Sequence, residues 1–397
     1  MDPKHSFPVN TAEFDPRLVS KWCQSDLASL LRCLRRAVEI ESPSGDRAAI
    51  DRMARFFAGE FRTAGGRSWL LPHRTAGAAV LGEFPATLPG TRPADARPIL
   101  LLGHHDTVWG IGTLRSMPFR VSAGRVWGPG VLDMKSGIVC ALWAFRALRA
   151  LRIPRRRPLR VFLNPDEELQ SRAFRERFLT EAKRARAVLV LEPAAGGGAL
   201  KTARKGVGEF RITVRGRPAH AGINPAEGVN AISELAQQIL RVERMTDPER
   251  GLTLTVALIH GGTRSNVVPE EARAVIDVRV SRLADGRRIE RRMRSLKPID
   301  LQARLEVEGG VNRPPMERKQ AAELFERARE LGERMGLKLD EAATGGGSDG
   351  NFTAALGIPT LDGLGGVGDG AHARHEHVVI RELPRRAALL ASLIATL

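Results

Sequence analysis

Between residues 99 and 191 the chain alternates short apolar runs with helical patterns, a rhythm that few folds accept. Residues 99–102, 187–191 and, apart from Arg160, 159–163 are apolar runs of strand length, while 136–151 and 173–183 repeat apolar positions at helical spacing. A strand that is apolar on both sides must be covered on both faces. A helix between two such strands is the usual connection in a parallel sheet. These residues therefore predict an α/β domain built on a mainly parallel sheet. Upstream, Leu27, Leu30, Leu31, Leu34 and Val38 mark an amphipathic helix. A second helix runs from about Asp46, with Ile50, Met53 and Phe57 on one face, until Gly65-Gly66 stops it.

The pattern changes near Lys205. Residues 210–214 alternate as a strand, 225–242 read as a helix, 252–259 and 272–280 as strands, 287–296 as a helix and 301–307 as a final strand. This βαββαβ order is the split βαβ, ferredoxin-like module. Gly309-Gly310 and Pro314-Pro315 are read as its end. A helix over 319–335, a glycine-rich stretch from Gly345 and a last helix over 383–397 resume the first pattern. The expected organisation is one α/β domain (1–205 and 313–397) with an α+β domain inserted at 206–312.

Charge and composition narrow the partners. The chain carries a net charge of +17, with arginine clusters at 155–157 and 287–294. A nucleic-acid surface is considered and set aside, because aromatic residues are 5%, tyrosine is absent and no nucleic-acid-binding motif accompanies the charge. A solvated, arginine-biased surface that attracts acidic small substrates is preferred. No apolar run is long enough to span a bilayer, and the first ten residues lack a signal pattern, so a soluble cytoplasmic protein is expected. Cys23, Cys33 and Cys140 fall in apolar helical patterns and read as core residues.

Residues of metal-binding type collect where strands end. Leu102-Gly103-His104-His105-Asp106 turns at a strand's carboxyl end, where ligand sites of open α/β sheets gather. Asp106 can accept the second imidazole N–H of His104, and His105 points the other way if the pleat persists. Asp133 stands at the mouth of a helix, where it can cap that helix or bridge two ions ~3.5–4 Å apart. Asp166-Glu167-Glu168 closes a second strand with three mutually repelling acids, a repulsion that a cation would relieve. If one of the pair holds metal, the other can take a proton from water. Glu192 closes a third strand. The segment 365–377 offers His372, His375 and His377, among which spacing alone does not choose.

In order and with their flanks, these residues resemble metallopeptidase family M20, in its glutamate-carboxypeptidase and aminoacylase-type branch, over residues 30–397. The resemblance implies a zinc-exopeptidase-like catalytic domain with an inserted dimerisation or lid domain. It implies two Zn²⁺ ions bridged by Asp133, one also held by His104 and Glu192, the other by Glu168 and His372. Co²⁺ or Mn²⁺ can occupy similar ligands. The spacing from His372 to Glu376 matches the family's last motif and selects His372. Glu167 takes the place of the general base and Asp106 that of the residue orienting His104. In the inserted domain His220 matches a histidine reaching a neighbouring subunit's active site. Asn266 and Arg279 match substrate contacts, and Gly346 and Gly347 a cleft-lining loop.

The implied reaction is hydrolysis, by a two-zinc-activated water, of an amide next to an amino acid with a free carboxylate. The substrate is a small peptide or N-acyl amino acid, and the enzyme a homodimer through its inserted domain. Alternatives are an aminoacylase, deacylase or aminopeptidase of the same family, or a catalytically silent peptide-binding protein. The stretch Leu169-Gln170-Ser171-Arg172 is shorter than the family's loop and lacks its glycine and serine. His377 stands where relatives often carry tyrosine, and His105 replaces an apolar residue.

Overall fold

A computed structural model describes residues 14–88 and 96–397. The N-terminal decapeptide read above lies outside the described residues. The chain divides into two compact units, one of residues 14–202, Arg318–Ala342 and Ser348–Leu397, the other of Ala203–Glu317 and Ala343–Gly347.

The larger unit is built on a six-stranded sheet ordered Arg67–Leu71, Ala79–Phe84, Leu159–Asn164, Ile99–His104, Ala187–Val190, Thr360–Leu361. The last four strands run parallel to one another; Ala79–Phe84 is antiparallel to them, and the edge strand Arg67–Leu71 is antiparallel to Ala79–Phe84 in turn. Every residue of Ile99–His104 and Ala187–Val190 is buried, which is why these runs show no alternation of polar and apolar positions. The helix Ser136–Ala150 is buried over most of its circumference and packs against Glu382–Thr396 and Pro16–Ser25. Its close seating depends on Gly137, where a Cβ would collide with the Leu191 carbonyl oxygen. A small second sheet joins Gly368–Asp369, His377–Val379, Arg125–Trp127 and Arg120–Ser122. All three cysteines are buried and unpaired, and burial pushes their thiols up.

The smaller unit is a four-stranded antiparallel sheet ordered Thr253–Gly261, Glu271–Val280, Gly206–Arg215, Arg304–Arg313, with helices Ala231–Glu243 and Leu283–Arg294. Alternate residues Phe210, Ile212 and Val214 meet Ala274, Ile276 and Val278 in its core. The last strand does not stop at Gly309-Gly310 but runs through the pair to Arg313. Gly309 adopts φ +100, and a Cβ there would strike the Glu209 carbonyl oxygen across the ladder, so close approach rather than a turn requires the glycine.

Among the described residues no helix is long and apolar enough to cross a membrane. The 155–157 cluster is not the solvated surface expected from composition, because Arg155 and Arg157 are buried. Arg157 donates to the carbonyls of Leu397 and Arg97.

Candidate metal centre

Parallel pairing brings three strand ends to one edge of the larger sheet. Ile99–His104 lies between Leu159–Asn164 and Ala187–Val190, and His104 sits opposite Asn164. The chain leaving one neighbour carries Glu167 and Glu168, and the chain leaving the other carries Glu192. Asp133 comes from the loop before helix Ser136–Ala150, and His372 from the loop before strand His377–Val379.

Asp133 does not cap the helix. Its backbone is non-helical, the Asp133–Met134 peptide is cis, and the helix starts beyond it without a side-chain cap. Its two carboxylate oxygens face different imidazoles instead. Oδ1 lies 3.2 Å from His104 Nε2, and Oδ2 lies 3.4 Å from His372 Nε2. Glu192 Oε1 is 3.6 Å from the same His104 nitrogen, and Glu168 Oε1 is 3.1 Å from the same His372 nitrogen. Ligand atoms of His104, Asp133 and Glu168 all fall within 4.8 Å of one another. Two groups of three donors therefore share one carboxylate. His375 and His377 do not join them; His377 stacks on Trp127 and its Nδ1 lies 2.9 Å from the His375 carbonyl.

The electrostatics call for positive charge at this point. Asp133 and Glu168 draw a proton onto His372, whose pKa rises to about 10. Burial opposes charge on His104, yet Asp106 and Asp133 raise it well above the usual imidazole value. Burial also opposes charge on Asp133, but His104 and His372 hold its carboxyl far below the normal range. Imidazole nitrogens and carboxylate oxygens in this arrangement suit a pair of divalent cations, which would replace those protons. Loading metal at pH 7.5 is therefore expected to release at least one proton per chain. Calorimetric zinc titrations in buffers of different ionisation enthalpy check this, and a binding heat independent of buffer would contradict it.

A ring of supporting contacts fixes the donors. Asp106 presents its carbonyl oxygen at 3.1 Å and its carboxylate at 3.3 Å to His104 Nδ1, leaving Nε2 to face the cluster. The same carboxylate accepts the Ser44 hydroxyl at 2.6 Å and the backbone N–H groups of Glu167 and Glu168, each at 3.2 Å. Glu376 accepts the N–H groups of Gly130, Leu132 and Asp133 and the indole of Trp109, fastening the loop that delivers Asp133. The sequence offered a spacing argument for Glu376 but no sign of this clamp, and nothing pointed to Ser44. His105 turns into the interior, where burial pushes its pKa down to about 4.

The short stretch after Glu168 folds back on itself. Ser171 N–H donates to the Asp166 carbonyl, and the Ser171 hydroxyl joins Asn164 and Asp349 in a buried network. Beside Glu168 this leaves a cavity of ≈ 630 Å³ whose walls include His73, Leu169, Gln170 and Arg172.

The remaining predicted residues belong to the smaller unit. His220 and Asn266 are exposed on adjoining turns, linked by the Ala221 N–H donating to the Asn266 carbonyl. His220 Nδ1 accepts the N–H groups of Gly222 and Ile223, so Nε2 carries the ring proton and can donate. Arg279 holds Asp277 through Nε at 2.9 Å and Nη2 at 3.0 Å, and turns Nη1 toward the Gly345 carbonyl. The carbonyls of Gly346 and Gly347 each accept from Arg204 at 3.2 Å.

The sequence profile described as Peptidase family M20/M25/M40 matches residues 100–396. Carboxypeptidase G2 from Pseudomonas sp. (strain RS-16) is 30% identical over 380 residues, covering 93% of this chain and 89% of that protein. Among solved structures, aminopeptidase PepT from Bacillus cereus ATCC 10987 superposes with a TM-score of 0.74 at 21% identity, covering 93% of this chain and 98% of its own. Bacillus subtilis YXEP, a dinuclear metal binding peptidase from the M20 family, superposes with a TM-score of 0.68 at 14% identity, covering 94% and 98%.

Proposed function

The chain belongs to peptidase family M20/M25/M40 as an M20-type metallopeptidase, and from that premise we propose that it is a two-zinc hydrolase of carboxypeptidase type. It cleaves the amide between an acyl or peptidyl group and an amino acid with a free carboxylate. The observation that carries this reading is the division of Asp133 between two donor sets, His104 with Glu192 and His372 with Glu168. His104, Glu192, Asp133, His372 and Glu168 would hold two divalent cations, whose Lewis acidity would bring water deprotonation toward neutral pH and polarise the scissile carbonyl. Glu167 accepts the proton of the attacking water and passes one to the leaving amine. Asp106 holds both the His104 ring and the backbone of the acid pair, so one carboxylate sets ligand and base in register.

The larger unit is on this reading the catalytic domain and the smaller one the dimerisation or lid domain. Thr253–Gly261 is an edge strand with Leu258 and Ile259 exposed, an apolar edge suited to pairing with a second copy. Light scattering at micromolar concentration is expected to give twice the chain mass, and Leu258→Arg to return it to one chain. An unchanged mass in that variant counts against this edge. In the dimer His220, with its Nε2 donor, stabilises the oxyanion of the partner's reaction.

Arg279 is assigned to the substrate carboxylate, which an arginine fork binds through parallel hydrogen bonds. Hydrogen bonds to charged groups contribute about 1.5–3 kcal/mol, so Arg279→Ala should raise KM by roughly 10–100-fold with little change in kcat. The test is a panel of N-acyl amino acids and dipeptides with added zinc, each beside its carboxamide, with chelator as control. Loss of turnover on amidation supports a carboxypeptidase. The bond between Arg279 and Asp277 favours one second reading, a deacylase or aminopeptidase that ignores the carboxylate; equal turnover of acid and amide would establish it.

A further inference from the structure

The arginine cluster at 155–157 has no role in the reaction just described, and Arg155 leads to a second cavity in the larger unit. This space, of ≈ 490 Å³, lies where helix Ser136–Ala150 ends and strand Ala79–Phe84 leaves the sheet. Phe84 pairs with Leu159, the first residue of its strand, whereas the metal ligands follow that strand's far end. Six residues of strand separate the two edges by roughly 20 Å. Three guanidinium groups line the cavity, those of Arg149, Arg152 and Arg155, and no acid does among the described residues.

Three nearby arginines of this unit are matched to acids, although the buried Arg157 and Arg386, like those of the cavity, donate to carbonyls. Arg146 is 2.7 Å from Glu60, Arg160 is 2.7 Å from Glu181, and Arg67 is 2.9 Å from Glu83. Around the cavity the partners are neutral carbonyls instead: Arg149 Nη1 donates to Thr63 at 3.4 Å and Arg155 Nη2 to Pro85 at 2.9 Å. Arg155 is 8% exposed, and its buried Nε has no hydrogen-bond partner. A cation removed from water with no counter-charge is costly, and an anion is what relieves that cost. The helix end offers a competing account, since basic side chains suit a helix C-terminus. That effect can place Arg149, but it does not explain Arg155, which lies beyond the helix and buries an unpaired donor. Leu148 and Ile153 add an apolar wall.

We propose that this cavity is a binding site for a compact polyanion, recognised through phosphoryl or carboxylate oxygens by Arg149, Arg152 and Arg155. The site is separate from the catalytic one and does not depend on the zinc reading. Two planar forks and a buried third donor match several oxygens on one small molecule better than a lone chloride.

The test uses zinc-loaded full-length protein and the variant Arg149→Ser/Arg152→Ser, whose altered side chains are exposed and remote from the metal ligands. Thermal unfolding is followed while inorganic phosphate or succinate is titrated, with sodium chloride at matched ionic strength as reference. Wild type is expected to show saturable stabilisation beyond chloride by at least one anion, and the double variant to bind it at least ten-fold more weakly. Peptidase turnover without added anion should be the same in both proteins. A response to phosphate alone identifies phosphoryl ligands, to succinate alone carboxylates, and to both the shared chemistry. No shift beyond chloride overturns the proposal. So does an equal shift in the double variant, which would place the anion elsewhere, the metal centre included.

Discussion

Replacing Glu167 with alanine is expected to leave both cation sites loaded while lowering kcat/KM by about 10²–10⁴-fold, the usual contribution of a general base. The structure separates position from chemistry at this residue. Asp106 accepts the backbone N–H groups of Glu167 and Glu168, so the turn is held through the main chain and survives removal of the side chain. Glu168, one residue later, faces His372 at 3.1 Å and belongs to the donor set. The adjacent acids should therefore fail in different ways. Glu167→Ala keeps metal and loses turnover, whereas Glu168→Ala loses metal first. Kinetics beside metal content by mass spectrometry distinguish the two. Turnover within a few-fold of wild type in Glu167→Ala would remove this residue from the mechanism.

Asp133→Ala should have the larger effect, reducing activity to that of chelator-treated protein. With Asp133 gone, His104 Nε2 keeps Glu192 as its acid neighbour and His372 Nε2 keeps Glu168. Two protein donors are fewer than the three that hold a catalytic zinc, so both sites should empty together rather than one at a time. The variant should also change the metal-free protein. Asp133 is the leading cause of the raised His372 pKa, so that ring should titrate well below about 10 in Asp133→Ala. The sign follows from the raised value: stabilisation by the His372 proton is complete below about pH 6.5 and is lost as pH rises through about 10. Its loss in the variant should flatten the alkaline limb of metal-free stability, as thermal melts between pH 6 and 10 would show. A variant that still binds two ions, or works at more than a few per cent of wild type, would mean that Asp133 is not shared.

Much of this arrangement was legible in the sequence because it depends on short-range pattern. Apolar runs marked three of the four parallel strands, Thr360–Leu361 being too short to show one, and acids placed soon after them marked the sheet edge. The alternation of Phe210, Ile212 and Val214 likewise marked an antiparallel strand with one covered face. Contacts between distant residues were not legible. Ser44 meets Asp106 across 62 positions, and Glu376 meets Asp133 across 243, and no periodicity encodes such pairs. Local signals also misled where packing overrode them. Gly309-Gly310 read as a stop but sits inside a strand. The helix read at 287–296 begins earlier, as Leu283–Arg294, with Asp285, Gly286, Ile289 and Met293 buried. Asp133 had the residue type of a cap and the backbone of something else. Burial of Arg155 and Arg157 was hidden for a similar reason, because charge in a sequence suggests solvent until the carbonyls that receive it are known.

The most direct test is a crystal of wild-type protein grown with zinc, with anomalous differences collected on both sides of the zinc edge. Two peaks per chain are expected, one on each side of the Asp133 carboxylate, the first near His104 and Glu192 and the second near His372 and Glu168. A single peak, no peak, or zinc held away from Asp133 would contradict the shared-carboxylate centre on which the proposed chemistry rests.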